Sequence, residues 1–452
     1  MFKQIFRAGA ATSNITPPLG ISMNGGMSDR AATHIHDELH ARCFVLDDGT
    51  TRLGIAVCDS CMIPRAIHEA AKHLAHGHLD IPLDHITISA THTHSAATVA
   101  GVFQSEPDSE YAEFLVERIS DGLRRAANNL EPARVGWGVA AVPSEVFNRR
   151  WKMKSGTVPP DPFGRTSDQV QMNPPRASAN LVEPAGPIDP EVVFLSVQSK
   201  AGRPLALLAN YSLHYVGGTG GGHISADYFA MFAEAIARGL HADHLDPPMV
   251  AAMCNGTSGN INNIDFRATS QRQPPYVQMR HVAGKVAGAV LAAMASLEYR
   301  DFVQLETRQA PLTLGRRLPA PAEVARAETI LAKTEGMSLR TREQIYARET
   351  ILMKDLPPTK ETLVQALRIG DLGIGTSPCE TFVETGLAVK AASPFKPTFV
   401  ISLANDYAGY LPTSEHHRLG GYETWRARSS YLAPDAESII RKWLIELLSE
   451  LA

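Results

Sequence analysis

Between residues 53 and 90 the chain changes its apolar period twice. Residues 53–58 form a continuous apolar run of strand length, residues 66–75 place Ile67, Ala71 and Leu74 at helical spacing, and residues 86–90 (ITISA) are a second short apolar run. Strand, helix and strand in that order make a βαβ unit, which sets two strands parallel under a covering helix. The alternation continues with a helix over 111–127, strands at 135–142, 192–197 and 205–211, a helix over 227–240, a strand at 249–254 and a long helix over 276–297. Later come a hairpin about 370–373, a strand at 398–403 and an amphipathic helix over 435–451. The expected class is α/β: a single domain spanning 1–452, whose sheet draws strands from both ends of the chain.

Two stretches break the rhythm. Residues 152–190 are polar and proline-rich, and so long an irregular segment is expected to wall an active site. Residues 318–356 are charged and helical in pattern, and are expected to form a surface excursion. The 43 basic and 47 acidic residues are mixed without long single-sign blocks, which excludes the footprint of a nucleic-acid or anionic-membrane binder. No run approaches the roughly 18 apolar residues of a membrane span, and the N-terminus lacks a secretory core, so a cytoplasmic location is expected. Five scattered cysteines, including Cys58-x-x-Cys61, are expected to be buried thiols and not a disulfide scaffold.

In open α/β sheets ligands gather beyond the carboxyl ends of strands. The polar clusters of this chain fall there: His92 and His94 after 86–90, His214 after 205–211, the turn 255–260 containing Ser258, Glu380 after the hairpin, and 405–410 after the strand at 398–403. In a strand, residues i and i+2 face one side, so His92 and His94 are expected to look into one cavity. Two imidazoles with a carboxylate suit Zn²⁺; the competing reading is a pair of histidines that merely cap a loop. His68 and His73 sit i, i+5 and diverge, which marks an ordinary surface helix. His34, His36 and His40 read as structural, with one of them able to reach the site. The glycine-rich stretch 217–222 lacks the Gly-Lys-Ser/Thr of a phosphate loop and reads as a flexible loop.

Taken together these motifs resemble the neutral/alkaline non-lysosomal ceramidase family, zinc-dependent amidases that cleave the N-acyl bond of ceramide. Thr91-His92-Thr93-His94-Ser95 is similar to the family's Thr-His-Thr-His-Ser, Asn148-Arg149 to its Asn-Arg-Ser, and Leu213-His214 to the segment of its second histidine. Pro378-Cys379-Glu380-Thr381 resembles Pro-Gly-Glu-Phe/Thr, and 405–410 resembles Asn-x-Tyr-x-x-Tyr, with Tyr422-Glu423 beyond it. Ile15-Thr16-Pro17-Pro18 and Ile35-His36-Asp37 read like the family's start. The flanks of Ser258 and the cysteine before Glu380 depart from the family pattern. The family's immunoglobulin-like C-terminal domain is expected to be absent.

The resemblance implies a large mixed-sheet catalytic domain with flanking helices, and zinc held by His92, His214, Glu380 and Tyr410. It implies that His94, Arg149 and Tyr422 line the reacting centre and that Ser258 matches the active-site serine. The chemistry expected is hydrolysis of an acyl amide by metal-activated water, with His94 shuttling a proton and Ser258 either orienting substrate or attacking. The alternatives are a zinc deacylase or esterase for a soluble polar metabolite such as an N-acyl amino sugar, and a metal-binding homologue without catalysis. The expected partner is a small-molecule acyl amide, with no nucleic acid and no membrane span; a homo-oligomer is left open.

Overall fold

The structure is a computed structural model that describes residues 5–269, 273–334 and 339–452. Its first sheet has eight strands, in the order Val250–Asn255, Pro204–Tyr211, Glu191–Ser199, Glu131–Ala141, Arg7–Asn14, His40–Asp47, Arg52–Cys58 and Ile86–Ala90. The inner pairings are antiparallel, and the outermost pair at each edge is parallel. Each parallel pair is a βαβ unit, crossed by Arg65–Leu79 at one edge and by Asp227–Gly239 at the other. Every residue of Ile86–Ala90 and of Val250–Asn255 is buried, which is why both read as unbroken apolar runs.

The C-terminal strands do not join this sheet, as the sequence suggested, but build a second one. Leu305–Gly315 pairs with Thr359–Ile369, which turns at Gly370 into Leu372–Thr376, and Thr398–Ile401 closes the set in parallel. Only Thr359–Ile369 and Leu372–Thr376 are joined by a tight turn; the two-helix excursion links the first pair, and the helix Val383–Ala392 makes the crossover to the parallel strand Thr398–Ile401. Phe44, Ile55, Val57, Leu195 and Leu208 of the first sheet share one core with Leu367, Ile369, Ile374, Phe399 and Ile401 of the second. Helices Arg65–Leu79, Ser109–Asn128, Asp227–Gly239 and Val277–Met294 cover the first sheet, and Ala436–Glu450 covers the second.

Two further expectations are corrected. The helix Arg65–Leu79 buries Ile67, His68, Ala71, Lys72 and Ala75, while Leu74 is 36% exposed. Its inner stripe is rotated because the small side chains of Ala71 and Ala75 let it lie close to the sheet, so His68 is interior while His73 is exposed. The charged excursion contains helices Pro321–Leu331 and Arg342–Met353, with 335–338 outside the described residues. It is more than surface, for Tyr346 is buried and its ring meets Phe103, Phe163 and Trp425.

One stretch ties the molecule together. The segment after Thr398–Ile401 is hydrogen-bonded to both edges of the first sheet: Ala90 N–H donates to the Leu403 carbonyl (3.1 Å), Asn405 N–H to Ile88 (2.8 Å) and Ser402 N–H to Asn255 (3.0 Å). The loops that follow Ile86–Ala90, Pro204–Tyr211 and Val250–Asn255 therefore open at the same place as 405–410.

Candidate active site

His92 does not continue the strand Ile86–Ala90. Its φ is 72°, a left-handed conformation that costs a β-carbon residue about 1–2 kcal/mol. Thr91 N–H and His92 N–H donate to the carbonyls of Cys58 and Ser60, both at 2.9 Å, and these bonds hold the turn. The sequence argument from strand alternation was thus wrong in its reason and right in its result, because the Nε2 atoms of His92 and His94 lie 3.2 Å apart. Each ring is fixed by its other nitrogen. His92 Nδ1–H donates to the Cys61 carbonyl (2.6 Å) and His94 Nδ1–H to that of Gly25 (2.8 Å), which turns both Nε2 atoms inward.

His214 follows Pro204–Tyr211 and is held the same way, with Nδ1 3.2 Å from the Ser258 carbonyl. Ser258 is itself buried behind His214, where its hydroxyl donates to Asn255 Oδ1 at 2.7 Å. It does not line the cavity that His92 and His94 face.

Glu380 and Tyr410 arrive as register partners in a short parallel pair, Glu380–Thr381 with Tyr410–Leu411. Gly259 has to be glycine here, since a Cβ would stand 2.5 Å from the Glu380 carbonyl oxygen. Glu380 Oε2 lies 3.1 Å from His92 Nε2 and 3.9 Å from His214 Nε2. Tyr407, which sequence reasoning left without a role, donates to the other carboxylate oxygen at 3.2 Å. Tyr410 accepts from Arg149 Nη2 at 3.1 Å, and Tyr422 meets Tyr410 edge-on at 5.8 Å. Arg149 is anchored in turn by the buried Glu423, Nε to Oε1 at 3.0 Å. The structure therefore gathers His92, His94, Arg149, Glu380, Tyr410 and Tyr422 around one cavity of about 180 Å³, while His214 does not line it and is buried against His92 and Glu380.

The electrostatics of the cluster turn on the buried Glu380 carboxylate and the Arg149 guanidinium. Burial pulls the His92 imidazole down, but Glu380 and Cys61 outweigh it and hold the ring at about 10. Burial, with Arg149 and His92 adding to it, keeps His214 well below its usual range; burial and His92 do the same to His94. Burial and Glu380 together push the Tyr410 phenol well up, against Arg149. His214 Nε2 is fully buried and has no hydrogen-bond partner, and Glu380 Oε2, equally buried, meets the His92 ring. With His92 they offer three ligand atoms within 4.8 Å of one another. Tetrahedral zinc with bonds of 2.0–2.2 Å spaces its donors roughly 3.3–3.6 Å apart, so the observed 3.1 and 3.9 Å separations fit one ion.

Other expected features fall outside this centre. His34 is exposed and tilts against His223, His36 is half-buried and stacks on Tyr276, and neither they nor His40 line the cavity. All five cysteines are buried thiols, and Cys61 packs its sulfur 3.8 Å from His92 Nδ1. Tyr215, overlooked beside His214, stacks on His94 at 3.7 Å. The irregular segment does wall the site, through Met172 and Asn173.

Residues 6–271 match the family described as neutral/alkaline non-lysosomal ceramidase, N-terminal. The chain belongs to that family. Membership implies a hydrolase acting on amide bonds. The fold agrees: a neutral ceramidase from Pseudomonas aeruginosa superposes with a TM-score of 0.72 at 19% identity, over 99% of this chain and 75% of that one. A ceramidase complexed with C2 does so with 0.73 at 18%, over the same shares. No helix among the described residues of this ceramidase-family chain is long and apolar enough to cross a membrane.

Proposed function

We propose that the chain is a zinc-dependent amidase that hydrolyses an N-acyl bond with metal-activated water. The observation that carries this reading is the buried, unpartnered His214 Nε2, which converges with Glu380 Oε2 and His92 Nε2. Such an orphan costs about 1–3 kcal/mol, and a divalent cation removes that cost. Tyr410, in register beside Glu380, is the natural fourth ligand. Bound zinc supplies Lewis acidity and lowers the pKa of its water to about 7.

The surrounding residues have distinct tasks. Arg149 is buried and fixed by Glu423 and the Gly259 carbonyl, so its guanidinium is already oriented when negative charge develops on the amide oxygen. It and Tyr422 face that oxygen; a donor so placed typically contributes about 2.7–4 kcal/mol. His94 has its Nδ1–H committed to Gly25, which leaves Nε2 to take a proton and pass it to the leaving nitrogen. Ser258 acts through His214, whose tautomer its carbonyl sets.

The test is metal analysis of the purified protein together with a panel of acyl amides and esters. One zinc per chain and amide hydrolysis are expected, and both disappear in His92→Ala and His214→Ala. An active, zinc-free His92→Ala protein overturns the reading.

A further inference from the structure

The cavity at the proposed zinc site is not isolated. A second cavity of about 290 Å³ adjoins it, and the two share Met27, Met172, Asn173 and Tyr422 as walls. Beyond that wall the lining is mostly apolar, with Val158, Pro159 and Val170 from the irregular segment and Trp425 opposite them. One charged side chain lines it: Arg342, the first residue of the helix Arg342–Met353.

A line of rings leads from the metal site to that charge. Tyr410 and Tyr422 are 5.8 Å apart, Tyr422 and Trp425 6.0 Å, and the Arg342 guanidinium carbon stands 5.8 Å from the Trp425 ring centre. Of the arginines around it, Arg326 pairs with Glu343, Arg348 with Glu106 and Arg426 with Glu323, while Arg340, which does not line the cavity, has no carboxylate partner among the described residues. Among the described residues Arg342 has no carboxylate partner. The whole chain carries a net charge of −4, so this unpaired cation is not one point on a generally basic surface.

We propose that the substrate is an amide with an anionic far end: a carboxylate, phosphate or sulfonate separated from the scissile bond by an apolar spacer. The spacer lies between Met172, Val170 and Trp425, and the anion meets Arg342. This assignment rests on the amidase reading and narrows it to a substrate class. A neutral two-chain lipid amide leaves the Arg342 charge without a counterpart.

The experiment uses the full, zinc-loaded chain and matched amide pairs that differ only in the terminal charge, with short, medium and long spacers. One arm puts the anion on the amine side, as in an N-acyl amino acid against its carboxamide. The other puts it on the acyl side, as in the monoamide of a dicarboxylic acid against its methyl ester. In at least one arm the anionic member is expected to have the higher kcat/KM by about two- to fivefold, the scale of a solvent-exposed ion pair, since Arg342 is exposed at the cavity rim. The preference fades as salt is added. Arg342→Gln is expected to erase it and Arg342→Glu to invert it in favour of a cation-terminated amide. Equal rates within every pair, or a preference that Arg342→Glu leaves unchanged, overturn the inference while the amidase stands. Failure to hydrolyse any amide overturns both.

Discussion

Tyr407→Phe removes one oxygen atom and tests the architecture of the proposed metal site without touching a proposed ligand. The hydroxyl donates to Glu380 Oε1 at 3.2 Å, and this bond turns Oε2 toward His92 and His214. A hydrogen bond to a charged group is worth about 1.5–3 kcal/mol. At about 1.4 kcal/mol per decade, its loss raises the metal Kd by about 10–100-fold, the range found when an outer partner of a ligand is removed. The ring stays in its buried place, so core packing is kept. The assay is competition for zinc against a chelator of known affinity, with turnover measured at saturating zinc. Activity is expected to return when zinc is supplied in excess, whereas Glu380→Ala, which deletes the ligand itself, stays inactive. A Kd within about threefold of the parent refutes the idea that Tyr407 aims the carboxylate.

Lys72 is 6% exposed, and burial, opposed by Glu69 and Asp84, pulls its ammonium down to about 8. The unfolded chain keeps the ordinary value near 10.4, so it holds the proton more tightly; the cost to the fold is complete below about pH 8 and vanishes as pH rises through about 10.4. Lys72→Met is therefore expected to stabilise by about 2–3 kcal/mol at pH 7 and by little at pH 11, read from denaturant midpoints; a gain independent of pH refutes this. Glu423, with no exposed surface, accepts from Arg149 at 3.0 Å and Arg150 at 2.5 Å. Glu423→Ala leaves two buried guanidiniums unpaired and is expected to cost about 3–5 kcal/mol in urea unfolding, and a loss below about 1 kcal/mol contradicts the pairing.

The parts of the fold that lie wholly inside the protein were the most legible. Ile86–Ala90 announces itself because its apolar run is unbroken, whereas the crossover helix Arg65–Leu79 was legible as a helix but not in its inner face, since Leu74 is exposed. Arg7–Asn14 was silent, although it lies within the first sheet, since its residues RAGAATSN are small or polar. Its smallness is required: a Cβ at Gly9 would stand 2.2 Å from the Ala126 carbonyl of the helix above. The stacking of two sheets was equally hidden, because an edge pairing and a face packing use the same apolar residues. At the site, His92, His214, Glu380 and Tyr410 were reached through motif resemblance, and composition alone offered no means to choose Tyr410. Tyr407 lay inside a quoted motif, yet three residues of loop before Tyr410 carry no period that would aim its hydroxyl. Arg342 was invisible for a different reason: nothing local tells an unpaired arginine from its paired neighbours.

The hydrogen bonds from both edges of the first sheet to 402–405 have a consequence for how this chain can be divided. Cut between the sheets, the earlier piece would own both imidazole ligands and no carboxylate, and the later piece the carboxylate and the phenol without an imidazole. Neither fragment is half a catalyst. On the proposed assignment the cluster of His92, His214, Glu380 and Tyr410 comes into being only when the two layers close on each other, so truncation and engineering have to treat the stacked pair as one unit.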